Sequence, residues 1–576
     1  MLTRLRINRF KRLLDVDIEL GDSVVFIGPN NSGKTAALQA LALWYIGLQR
    51  WLEKRQGKTQ PEKRPGVTIN RKDLISIPVP RANLLWYDLR VRNIIPPTQN
   101  IKQQTQNIRI DIIVDGVTEG KPWSCGLEFD YANEESFYCR PLRMTEVEGA
   151  ERMPIPDGTK NLKVAFLPPM SGLIADEPVL ELGRINVLIG EGQTAQVLRN
   201  LCYQIHESSS SSWQELVNYL NKYFGVTILP PKYISERGEI TMNYKETRGI
   251  NFDISSSGRG FQQTLLLLAH LYAHPQSILL LDEPDAHLEI LRQRQIYQLI
   301  TQVAEQQGSQ VIAASHSEVV LNEAADRDVV IAFVGKPHRI DDRGSQVLKS
   351  LKSIGFNDYY LAEATGWVIY LEGATDLAIL TAFAKSLRHN AAALLERAFV
   401  YYVGNLPNKA SEHFWGLREA KPDLVGIAIF DHLDIDIPKS NDLQTFQWRR
   451  SEIENFLCSK NVLLAYARHD QLNNLFGFAE AQKRQDIMEK AIDEISKALK
   501  TLGKPDPWSY DIKATDDFLD PLFDKYFQEL GLPNLMRKSD YHILASLVPK
   551  GEIDNEVKEK LDAIVEIASR AKPRED

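Results

Sequence analysis

Apolar residues along this chain fall into short, dense runs separated by polar turns and by stretches with helical spacing. RLRINRFKRLLDVDIEL alternates as two strands would, and Val24–Ile27 is a β-branched and aromatic run that predicts a buried strand. After Lys34 the spacing becomes helical through AALQALALWYI. Further strands are expected in NIRIDIIVDG, KVAFLPPMSG, SILLLD (277–282), VIAASHS (311–317), Trp367–Leu371 and LVGIAIF (424–430). Strands alternating with helices predict an α/β protein. No heptad pattern spans residues 60–250, so a compact insert is expected there, not coiled-coil arms. Within it, Ser212-x-x-Glu215 reads as a capping box opening an amphipathic helix after a serine run.

With 576 residues the chain has room for two to four domains, and 43% hydrophobic with 25% charged residues is ordinary for a globular protein. No run reaches the roughly 18–20 apolar residues of a membrane span. MLTRLRINRF lacks the apolar core of a secretory signal, and the four cysteines (Cys125, Cys139, Cys202, Cys458) form no C-x-x-C pair. A cytoplasmic location is expected, with neither structural zinc nor disulfides. The net charge of −8 hides a basic stretch, residues 50–73, with eight Lys/Arg against three acids: either a solvated loop or a nucleic-acid contact.

Two groups of residues carry chemistry. Gly28-Pro-Asn30-Asn31-Ser32-Gly33-Lys34-Thr35 fits G-x-x-x-x-G-K-[ST] between a predicted strand and helix. Its backbone N–H groups and helix N-terminus suit phosphate, Lys34 the β/γ-phosphates and Thr35 a magnesium ion. Asp282 ends a later strand and would hold the metal's water shell, while Glu283 beside it would polarise the attacking water. His316, at the next strand end, would sense the γ-phosphate. Ser257-Gly258 lies just before an apolar helix and resembles the serine/glycine motif that completes a partner subunit's site in ABC-type ATPases, although Arg259-Gly260 departs from the usual continuation. In this order and at this separation, the elements resemble the SMC, RecF and double-strand-break repair branch of ABC ATPases. That resemblance implies ATP with Mg²⁺ and an ATP-dependent homodimer or higher homo-oligomer.

The second group begins with Glu372 at the end of a strand, Gly373 in the turn and Asp376 in the first helical turn beyond it. Asp431, Asp434 and Asp436 follow another strand, and three acids so close would repel without a hard cation between them. Glu452 and Glu454 come next, then Lys538 in a helical context. Strand–Glu–Gly–x–x–Asp followed by a strand and an acid cluster resembles the Toprim fold, and an SMC/RecF-like ATPase joined to Toprim resembles the OLD (overcoming lysogenization defect) family. D-H-L-D-I-D replaces that family's usual D-x-D.

The resemblance implies an ABC-type P-loop ATPase over 1–345, with dimerisation helices at about 150–245, and a Toprim (Rossmann-like) nuclease over 346–576. It also implies Mg²⁺- or Mn²⁺-dependent DNA cleavage, with Glu372, Asp376 and Asp431 as ligands and Glu452 or Glu454 completing a second metal site. Asp431 ranks ahead of Asp434 and Asp436, and Lys538 stabilises transition-state charge. Antiphage defence, Gabija-like or retron-associated, and a partner such as a helicase or a reverse transcriptase with its DNA follow from the family alone. Two alternatives stand beside this reading: a non-cleaving ATPase sensor or scaffold, and a topoisomerase-like enzyme for which no tyrosine-bearing domain is evident.

Overall fold

The computed structural model describes the chain except residues 56–65, 75, 96–103, 146–150, 171–172, 175, 247–248, 326, 341–353, 436, 438–439, 469–474 and 575–576. Asp436, the centre of the basic stretch and most of VLKSLKSIG (347–355), whose spacing predicts a helix, therefore lie outside the described residues. The chain divides into two compact units, with the boundary at Leu348/Lys349.

The first unit holds two six-stranded sheets. One is mostly parallel, in the order Val164–Leu167, Ile278–Asp282, Gln310–Ser315, Ser23–Ile27, Val329–Ala332, with His338–Arg339 antiparallel at the edge. Ile278–Asp282 and Gln310–Ser315 are buried along their whole length, which is why they read as continuous apolar runs without alternation. The other sheet is antiparallel, in the order Leu13–Glu19, Leu2–Phe10, Arg109–Thr118, Lys121–Asn133, Ser136–Pro141, Val67–Asn70. Much of the expected insert is thus built into a sheet begun by the first two strands. Helix Lys34–Arg55 buries Ala37, Leu41, Trp44 and Leu48 in the core shared by both sheets. Gln310 ties the sheets together: its side chain accepts from the Leu2 N–H and donates to the Leu2 and Gly21 carbonyls.

The opposite face of the parallel sheet packs against helices Leu182–Gly190, Leu198–Ser208, Ser210–Phe224 and Arg259–Ala273. The last is buried from Phe261 to Tyr272. Each of its fully buried leucines contributes about 1.5–3 kcal/mol, so this helix anchors the layer. Trp213, Leu216 and Leu220 pack in that same core. The capping box requires correction. The helix begins at Ser210, its cap is Ser209, which accepts from the Ser212 N–H, and Glu215 accepts from the Tyr272 hydroxyl at 2.9 Å. An earlier serine in the run reached the N-cap geometry first.

The second unit is centred on a four-stranded parallel sheet, ordered Phe399–Tyr402, Trp367–Leu371, Val425–Phe430, Leu443–Gln447. The chain starts at Trp367–Leu371, adds a strand on one side, then crosses to the other. This reversal makes the C-terminal edge between Trp367–Leu371 and Val425–Phe430 the crevice where α/β sheets gather ligands. Helix Ala374–Leu387 and the helices between Lys460 and Arg570 share one core with the sheet. Gly366, with φ of 72°, ends helix Phe356–Thr365, and its Cα faces the backbone of Lys572 and Pro573.

Candidate functional sites

The register of the parallel sheet builds the first site. Asp282 pairs with Ala314 and Ser315 with Ile27, so Asp282, His316 and the loop that starts at Gly28 share one sheet edge. Asn31 and Gly33 adopt positive φ (63° and 105°), which turns the loop onto the N-terminus of helix Lys34–Arg55. A Cβ at Gly28 would stand 2.8 Å from the Phe333 carbonyl oxygen, so this position requires glycine. The Thr35 hydroxyl donates to Asp282, 3.0 Å from either carboxylate oxygen. Lys34 donates to the Gly28 and Pro29 carbonyls, each at 2.8 Å.

Burial lowers the Lys34 pKa, opposed by Glu283, Asp282 and Asp285. Burial raises Asp282 to about 6, with Glu283 adding to it and Thr35 and Lys34 opposing. The His316 Nδ1 lies 3.7 Å from Glu283, which itself has a left-handed φ of 50°. The buried Ser32 hydroxyl has no hydrogen-bond partner among the described residues. An orphaned hydroxyl, a lysine satisfied only by loop carbonyls and a Thr–Asp pair are donors and acceptors suited to a nucleotide phosphate and its cation.

Ser257 and Gly258 stand at the surface as the turn before helix Arg259–Ala273; the Ser257 hydroxyl donates to the Ile254 carbonyl at 2.6 Å. No hydrogen bond among the described residues joins them to Gly28–Thr35. Two residues near the loop escaped the sequence reading. The Arg12 side chain lies over Gly33, with Cδ 3.5 Å from where a Cβ would be. Asp285 is buried and bonded to the Ser315 side chain. The third acid in DEPDAH was the available signal for Asp285; Arg12 had none.

In the second unit, Glu372 follows Trp367–Leu371, and the Asp376 carboxylate accepts from the Glu372 N–H at 3.2 Å. Asp431 follows the neighbouring strand, and its N–H donates to the Asn405 side chain at 3.1 Å. Burial, then a hydrogen bond to Glu372 and the charges of Glu372, Asp376 and Glu454, push the Asp431 carboxyl far above the ordinary range. Burial, with Glu372 adding, raises Asp376 to about 6. Glu454, on the turn Ile453–Phe456, rises to about 7 through burial, opposed by Lys538 and reinforced by Glu452 and Asp376.

Lys538 lies 3.6 Å from Glu454. Burial lowers its pKa, but Glu454, Glu372, Glu452 and Asp376 together outweigh that effect and raise it. Glu452 sits at the edge of the group, accepting from the Thr515 N–H at 2.8 Å. Asp434 is fully exposed, 3.9 Å from His432, and no contact draws it toward Glu372. Asn405, with a left-handed φ of 58°, was not anticipated from sequence, and its G-N-L-P turn was the only hint.

Among the described residues, no group of three or more His, Cys, Asp or Glu side chains stands ready to hold a metal ion. The fit to a cation lies in donor chemistry: hard carboxylate oxygens crowded at one edge, one of them, Glu454 Oε1, buried without a hydrogen bond.

Residues 176–322 match the family model described as "AAA domain, putative AbiEii toxin, Type IV TA system". The match takes in Ser257, Asp282, Glu283 and His316 and begins after the phosphate loop. The first unit is a P-loop unit of the ATPase type. Solved structures similar to the chain include the SMC head domain from Thermotoga maritima, at 12% identity and a TM-score of 0.32, covering 59% of this chain and 98% of that one. The SMC head bound to the C-winged helix domain of ScpA has 12% identity, a TM-score of 0.33 and coverages of 59% and 97%. The Smc head with an extended coiled coil bound to the C-terminal domain of ScpA, from Pyrococcus furiosus, has 13% identity, a TM-score of 0.33 and coverages of 61% and 99%. No helix among the described residues is long and apolar enough to cross a membrane.

Proposed function

We propose that this chain is an ATP-binding and -hydrolysing, metal-dependent DNA endonuclease of the OLD type, whose second unit is a Toprim-like nuclease. The observation that carries the reading is the gathering of Glu372, Asp376, Asp431 and Glu454 with Lys538 at the sheet's switch point. Three carboxylates whose pKa values are raised, Asp376, Asp431 and Glu454, with Glu372 bonded to Asp431 and a lysine beside them, form a site for a polyanionic substrate only if cations join them.

Glu372, Asp376 and Asp431 would hold Mg²⁺ or Mn²⁺, with Glu454 and Glu452 toward a second position. A bound cation there supplies phosphoryl-charge stabilisation and a more acidic water. Lys538 places its ammonium where charge develops on a phosphodiester's non-bridging oxygens. Asn405 fixes the Asp431 backbone, and the Asp376–Glu372 N–H bond fixes the turn, so the backbone that carries these acids is set at the sheet edge.

In the first unit, Lys34 and Thr35–Asp282 would bind ATP and its Mg²⁺, Glu283 would polarise the attacking water, and His316 would sense the γ-phosphate. Ser257-Gly258, half-buried and exposed respectively and with no hydrogen bond to the phosphate loop among the described residues, is left for a second copy, which supports a homodimer or larger assembly. A defence role, and a helicase or retron reverse transcriptase as partner, rest on the family resemblance. The test is closed circular plasmid incubated with the purified chain in Mg²⁺ or Mn²⁺: nicking that EDTA abolishes supports the reading. One observation favours a rival, a non-cleaving ATPase scaffold: no three ligands are pre-assembled among the described residues. DNA binding with intact plasmid at every metal concentration would select that rival.

A further inference from the structure

The antiparallel sheet of the first unit buries Ile110, Ile112, Leu127 and Phe129 on one face. The strand period of two sends Arg109, Asp111, Glu128 and Asp130 to the other face. There Glu128, itself 1% exposed, takes Arg140, Arg152 at 3.2 Å and Arg143 at 3.7 Å. Asp130 takes Arg140 at 3.0 Å and Arg109 at 3.7 Å. Of these arginines, Arg109 and Arg143 join Arg9 and Arg90 on the lining of a cavity of about 610 Å³, while Arg140 and Arg152 pair with the lining Glu128. On that lining, among the described residues, four guanidiniums (9, 90, 109, 143) meet three carboxylates (88, 111, 128).

Arg140 and Arg152 offset the lining Glu128 as well, and the positive excess suits an anionic group such as a phosphomonoester, which carries about −1.5 to −2. The Arg109 Nε is buried without a hydrogen bond, which a structure rarely leaves uncompensated. Burial and the neighbouring Arg109 lower the pKa of Arg143, the mark of a guanidinium crowded by like charge. The cavity is larger than a phosphate needs, and falls in the size range of small-ligand sites. Tyr87 and Leu14 add an aromatic and an aliphatic wall that suit a base or sugar. Arg9 and Asp88, also on the lining, hold left-handed φ of 61° and 51°.

We propose that this pocket is a second anion site, separate from the phosphate loop, that takes a nucleoside monophosphate, either free or as the phosphorylated terminus of a DNA strand. Planar guanidinium forks suit phosphate better than lysine would, and their number here lets one phosphate be held from several sides. The site stands whether or not the second unit cuts DNA.

The test uses the full chain carrying Lys34→Ala, so that the phosphate loop is silent, in EDTA, so that cleavage is silent. Fluorescence anisotropy compares a short 3′-labelled single strand bearing a 5′-phosphate or a 5′-hydroxyl, with dAMP as competitor. The phosphorylated strand binds about tenfold more tightly if the terminus is the ligand; dAMP competes if the free nucleotide is. In either case Arg143→Gln removes most of the effect. Arg90→Gln, at an exposed position that cannot affect the core, weakens binding by about threefold or more. Equal affinity for both strands together with no competition by dAMP overturns the proposal. So does wild-type behaviour of both arginine variants, with melting curves confirming that each is folded. Plasmid nicking in Mg²⁺ is measured separately, so failure here leaves the nuclease reading untouched.

Discussion

Glu454→Gln tests the charge crowding at the acid site without altering its shape. The Glu454 side chain is 3% exposed and its carboxyl sits at about 7, against an ordinary 4.5. Between those values the unfolded chain has released a proton that the folded chain still holds. Stability contributed by this group is therefore complete below pH 4.5, falls as pH rises toward 7, and is flat beyond. At about 1.4 kcal/mol per pH unit, that gap amounts to about 3 kcal/mol lost above pH 7. Glutamine cannot ionise, so the variant should be more stable than wild type above pH 7 by about 1–3 kcal/mol, allowing for its own imperfect hydrogen bonding. The two should converge near pH 4.5. Urea unfolding in EDTA across this pH series measures the difference directly, and a melting shift of about 2–4 °C per kcal/mol should accompany it. Parallel pH dependences for the two proteins would refute the reasoning. The same substitution should impair cleavage, the usual exchange of function for stability at a strained site.

Lys34→Ala should weaken binding of a fluorescent ATP analogue by about a hundredfold or more, since several charge-assisted contacts are lost; retained ATP turnover would remove the nucleotide assignment. Asp434→Ala should leave plasmid nicking within about twofold of wild type, because the carboxylate is fully exposed and turned to His432. Gly366→Ala should destabilise the second unit by about 2 kcal/mol or more, read by urea unfolding. Its Cβ would stand 2.6 Å from the Lys572 backbone at a φ of 72°. Mn²⁺ should raise the melting temperature of wild type above its value in EDTA, and should do so much less for Asp431→Asn.

The elements most visible in the sequence were those buried on both faces. SILLLD, VIAAS and Trp367–Leu371 carry their strand signal in apolar runs, and the polar residues that end or follow them, Asp282, His316 and Glu372, inherit their positions from the sheet edge. The phosphate loop was equally plain, because its glycines are demanded by backbone geometry that a fixed spacing encodes. What the sequence withheld depends on pairing across distance. Nothing local says that Leu2–Phe10 will pair with Arg109–Thr118, nor that Ser209 will cap in place of Ser212. Of the described acids that directly follow Val425–Phe430, Asp431 joins Glu372 while Asp434 faces solvent: the chain turns away after Asp431, and spacing alone does not reveal where it goes. The arginines of the anion pocket were invisible for the same reason, since Arg9, Arg90, Arg109 and Arg143 are scattered along the chain and meet only through the sheet.

The most direct test of the acid site is a side-by-side plasmid assay of wild type and Glu372→Ala, purified identically and supplied with Mg²⁺. The arrangement of Glu372, Asp376, Asp431, Glu454 and Lys538 predicts nicking by wild type and its loss by about a hundredfold or more in the variant. Equal nicking by both proteins, or none by wild type in Mg²⁺ or Mn²⁺, would contradict it.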